Sequence, residues 1–101
     1  MTEQRREIRS RQRFPVTVGP LTLFTANNSA RGFCTEAVRV FAPGTSVGGV
    51  IRARGGEFPY SGRVVWARAG DPRLNLRGRM GIEFISVAPG LAPLLESSPL
   101  R

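Results

Sequence analysis

At 101 residues the chain has room for one domain with its own core, and not for two. An apolar fraction of 41% with no low-complexity block excludes a disordered chain, and no stretch reaches the roughly 20 apolar residues of a membrane-spanning helix. Fifteen Arg, no Lys and no His stand against seven acids, a net charge of +8. Base composition of the gene can favour Arg over Lys, but a field of this sign still favours an anionic partner: a nucleotide, a nucleic acid or an acidic protein surface.

The first residues are charged and lack the apolar core of a secretory signal. The single Cys34 cannot form an internal disulfide, which suits a reducing compartment. A cytoplasmic protein is expected.

In chain order, residues 1–13 have no sustained apolar periodicity and carry five of the Arg. They read as a flexible basic arm. Phe14-Pro15-Val16-Thr17-Val18 alternates as a half-buried strand does, Gly19-Pro20 breaks it, and Leu21 to Ala26 resumes as a second strand. Asn27 to Gly32 has turn chemistry, with Asn and Ser that bond nearby backbone and a Gly that accepts positive φ. A third strand is predicted over Phe33–Phe41 and a fourth, weakened by Gly48-Gly49, over Val47–Ala53. Gly55-Gly56 signals a hairpin.

The fifth strand is predicted from about Glu57 to Ala67. Its alternation places Phe58, Tyr60, Val64 and Trp66 on one face, as core. Ala69 to Gly78 reads as a polar loop and Met80–Ile85 as the last strand. Leu91, Leu94 and Leu95 then have helical spacing, and Pro93 keeps any helix short. Short strands with Gly/Pro punctuation and no long helix predict an all-β domain, a small antiparallel barrel or sandwich.

Catalysis is not expected. Without His the commonest general base and metal ligand is missing, one Cys with scattered carboxylates gives no metal-site spacing, and Cys34 inside a strand reads as a structural thiol. The arm offers different chemistry. Guanidinium groups make bidentate bonds to phosphate or to guanine O6/N7 and stack on base planes. Arg9 and Arg13, four residues apart, form an RxxxR pattern, and Asn27-Asn28-Ser29-Ala30-Arg31-Gly32 forms NxSxxG. Each alone also fits a bland reading, a solvated basic tail and a hairpin whose polar groups satisfy local backbone.

Together and in this order, the two patterns resemble the signature of the PilZ domain, a bacterial receptor module for cyclic di-GMP. Pro43-Gly44-Thr45, Gly62-Arg63-Val64-Val65-Trp66 and Gly81-Ile82-Glu83-Phe84 resemble three further segments of that family, over residues 5–84. The resemblance implies a six-stranded or slightly abbreviated antiparallel PilZ-like β-barrel over residues 14–88, behind the arm at 1–13. A tail or at most a short helix at 89–101 completes the chain.

It further implies a non-enzymatic receptor or adaptor in second-messenger signalling, acting in motility or biofilm regulation. Arg9 and Arg13 would clamp guanines and phosphates, Asn27 and Ser29 would bond a guanine edge, and Gly32 would hold the turn. Arg11 and Arg31 would be auxiliaries. No cofactor or metal is implied beyond the ligand, and the partners would be cyclic di-GMP and a downstream effector protein. The stretch from Arg13 to Asn27 is shorter than the family's, so the first strands are expected to be abbreviated or tightly joined at Gly19-Pro20. Two other readings are a PilZ-fold interaction protein that binds no nucleotide and a basic nucleic-acid-binding barrel, the latter supported only by charge.

Overall fold

A computed structural model describes residues 10–96. Six strands, β1 (Pro15–Val18), β2 (Leu21–Ser29), β3 (Gly32–Ala37), β4 (Ser46–Ala53), β5 (Gly56–Arg68) and β6 (Gly78–Val87), are followed by one short helix, α1 (Leu91–Glu96). The strands close into an antiparallel barrel in the order β1-β2-β3-β6-β5-β4. The expected small antiparallel six-stranded β-barrel is therefore what the chain forms, with barrel rather than sandwich closure.

Inward positions of successive strands fill the barrel: Val16, Val18, Phe33, Ile51, Val64 and Ile82 are almost fully buried. Phe33, Tyr60 and Phe84 pack edge-on or tilted, with ring centroids 5.5 to 5.9 Å apart, a favoured aromatic arrangement. Helix α1 buries Leu91 and Leu95 completely. Six residues are too few to be helical on their own, so this burial is what holds α1 in place.

The expected abbreviation of the front is found. β1 has four residues and joins β2 through Gly19-Pro20, with Val18 facing Leu21. A φ of 58° at Gly19 followed by the fixed negative φ of proline is the type II′ hairpin pattern. Closure of the barrel rests on a short seam, since β1 and β4 pair only at Val16 and Ile51. Thr17 reinforces it. Its Oγ1 accepts from the Val50 N–H at 2.9 Å, and its carbonyl accepts from the Tyr60 hydroxyl at 2.8 Å. A Cβ at Gly49 would collide with the Thr17 carbonyl, so this glycine permits the seam rather than merely weakening β4.

Several boundaries differ from the sequence reading. β2 continues through Asn27, Asn28 and Ser29, leaving a two-residue turn at Ala30-Arg31. β3 ends at Ala37 instead of Phe41. Within the expected loop, Pro72–Leu74 forms a 3₁₀ turn capped by the Asp71 carboxylate, which accepts from the Arg73 N–H at 3.0 Å.

Candidate functional site

The polar β2–β3 turn stands at one end of the barrel, and four elements meet there. Ser29 Oγ accepts from the Arg31 N–H at 3.1 Å, which holds the turn in shape. The Phe84 N–H donates to the Arg31 carbonyl at 2.8 Å, tying the turn to β6. The Ala30 N–H donates to the Glu96 carboxylate at 3.2 Å, tying it to α1.

Asn27, Ser29, Arg31 and Gly32 line one concavity of about 380 Å³, together with Cys34, Val65, Trp66 and Glu83. Three of the expected ligand residues and the auxiliary Arg31 therefore share one surface. A bulge at Ala26 resets the alternation of β2. Asn27 and Ser29 thereby share one face, while Asn28, opposite Phe33, turns to the other.

Gly32 is the first residue of β3 rather than part of the turn. Paired with Glu83 of β6, it allows the two backbones to approach so closely that a Cβ would collide with the Ile82 carbonyl. Its role here is close approach.

Trp66 departs from the core position expected of it. The register between β5 and β6 slips between Val64 and Trp66, and this bulge turns the indole outward, 42% exposed. There it lies over Gly81, where any Cβ would meet the indole ring. Trp66 is thus an aromatic wall of the concavity. Cys34, expected as a buried thiol, is half-buried and faces Asn27 across the β2–β3 ladder. Alternation alone could not reveal either position.

The arm divides. Arg9 lies outside the described residues. Ser10 and Asn28 exchange backbone hydrogen bonds of 2.8 Å in both directions, so residues 10–13 run along β2. The Phe14 N–H donates to Thr25 Oγ1 at 3.0 Å, continuing this attachment into β1. Arg11 and Arg13 are exposed.

The Arg13 guanidinium lies 5.5 Å from the ring centroid of Phe24, a cation–π distance, and Arg13 is not among the residues lining the concavity. Phe24 is half-exposed on β2. The sequence offered only its place in an apolar run as a sign of this partnership.

No family model matches the chain, and no curated protein matches it by sequence. Among solved structures, the fold resembles Bacillus subtilis inhibitor of motility, MotI/DgrA, with a TM-score of 0.75 and 19% identity. The match covers 94% of this chain and 49% of that one, so this chain spans about half the length of its structural neighbour. At this identity the likeness is one of fold. Among the described residues no helix is long and apolar enough to cross a membrane.

Proposed function

We infer that this chain is a PilZ-type receptor for cyclic di-GMP that acts by binding and changing its contacts, without catalysis, in the cytoplasm. The observation that carries the reading is the meeting of Asn27, Ser29 and Arg31 with the Trp66 indole around one concavity. An amide and a hydroxyl give donors and acceptors for a purine edge, an indole face gives stacking, and a guanidinium pairs with phosphate. The motif pair RxxxR and NxSxxG supports the same ligand, as does the fold shared with a protein described as an inhibitor of motility. Regulation of motility through an effector protein is the corresponding output.

In this reading Asn27 and Ser29 bond a guanine edge, Trp66 stacks on the base, and Arg9 and Arg13 close on the ligand from the arm. One observation favours a second reading, an interaction barrel that binds no nucleotide: Arg13 is engaged by Phe24 instead of facing the concavity.

Titration calorimetry with cyclic di-GMP, with GTP and GMP as controls, separates the two. Saturable micromolar or tighter binding that is lost in Arg13→Ala is expected of a receptor. Absence of heat at high protein concentration would leave the interaction barrel. The sole tryptophan gives an independent signal, because a base stacked on Trp66 quenches its emission.

A further inference from the structure

We propose that Asn28, at a variable position inside NxSxxG, is the positioning residue that sets where the arginine arm lies. The ligand half of this inference rests on the receptor reading above; the latch itself does not.

Asn28 is fully buried, a polar side chain among core residues, and its amide is spent on the arm. Nδ2 donates to the Ser10 carbonyl at 3.2 Å and to the Gln12 carbonyl at 2.6 Å. With the two backbone bonds between Ser10 and Asn28, one residue of β2 grips two residues of the arm, Ser10 and Gln12, on either side of Arg11. Thr25 Oγ1 adds a longer bond to the Gln12 carbonyl, at 3.4 Å, and Ser10 Oγ accepts from the Gln12 N–H at 3.1 Å.

The grip has a consequence for charge. Exposure alternates along the gripped segment, with Ser10 buried, Arg11 exposed, Gln12 intermediate and Arg13 exposed. Holding Ser10 and Gln12 inward presents Arg11 and Arg13 outward, as alternation in an extended chain requires. Asn28 therefore acts on the ligand through the arm, while its sequence neighbours Asn27 and Ser29 face the concavity.

Asn28 Oδ1 and Gln12 Oε1 are buried acceptors with no donor among the described residues, a state that costs free energy. The arm is thus aligned by a small set of hydrogen bonds, few enough that it can shift when a ligand engages its arginines. A β-branched apolar residue would suit a buried strand position better than Asn, so a gain in barrel stability and a loss of arm control are separable.

The test compares the full chain with Asn28→Val, and with Asn28→Ala, which cannot overpack the site. Amide hydrogen exchange is read at Ser10 and Gln12, and calorimetry reads cyclic di-GMP affinity. The expected result is a folded barrel in which arm protection falls by an order of magnitude or more and cyclic di-GMP binds about tenfold more weakly. Unchanged arm protection in both variants would overturn the latch. Lost protection with unchanged affinity would overturn the link from the latch to the ligand. If the unmodified chain binds no cyclic di-GMP, the receptor reading fails and the ligand half with it, while the exchange contrast still decides the latch.

Discussion

Gly32 shows how a motif residue can be required for a reason its motif does not state. A side chain there has no free space, because the nearest obstacle is the backbone carbonyl of Ile82, which cannot rotate away. Gly32→Ala should therefore separate β3 from β6 and cost about 3 kcal/mol, the upper range for overpacking. A denaturation midpoint unchanged by the substitution would show that the two strands have slack.

Ser29→Ala is the contrasting case. It removes the acceptor for the Arg31 N–H, so about 1 kcal/mol of stability is expected to go. On the receptor reading, affinity for cyclic di-GMP should also fall roughly tenfold, since Ser29 would lose its hydrogen bond to the guanine edge. Full affinity in a calorimetric titration of this variant would move the ligand away from the turn.

At the scale of elements, the six strands and the short helix were legible because alternation, Gly/Pro breaks and helical leucine spacing are local signals. What alternation could not carry was the effect of bulges. The slip after Val64 turns Trp66 from the core to the surface, and the irregularity at Ala26 decides which of Asn27 and Asn28 faces the concavity. Both depend on the register with the partner strand, which alternation within one strand does not encode. The motif residues Asn27, Ser29 and Gly32 could be found by pattern. Phe24 beneath Arg13, and Asn28 beneath the arm, could not, since each acts through a contact more than ten positions away in sequence.

Helix α1 depends on distant contacts in the same way. Leu91 and Leu95 are fully buried, and Glu96 reaches back to Ala30. Leu95→Ala should cost about 2–4 kcal/mol. It should also speed amide exchange at Ala30, whose partner Glu96 is the next residue along the helix. Loss of stability without any change at Ala30 would show that α1 and the turn are not coupled.

For the molecule as a whole, pH acts on the barrel through its seam. The Tyr60 hydroxyl is buried, and desolvation pushes its pKa well above the ordinary value near 10. Its proton is used, donated to the Thr17 carbonyl where β1 closes on β4. The folded state thus holds this proton to higher pH than the unfolded chain does. The stabilisation is complete below the unfolded pKa, and it is lost as pH rises through the alkaline range toward the folded value. The chain has no Lys and no His, and arginines stay charged throughout, so few other groups contribute to that limb. Chemical denaturation between pH 8 and 11.5 should accordingly show a plateau and then a decline beginning near pH 10. Tyr60→Phe should start about 1–2 kcal/mol lower, because the Thr17 carbonyl loses its donor, and its profile should lack most of the decline. A Tyr60→Phe profile parallel to that of the unmodified chain would mean that the alkaline loss arises elsewhere and that the seam does not open by ionisation of this phenol.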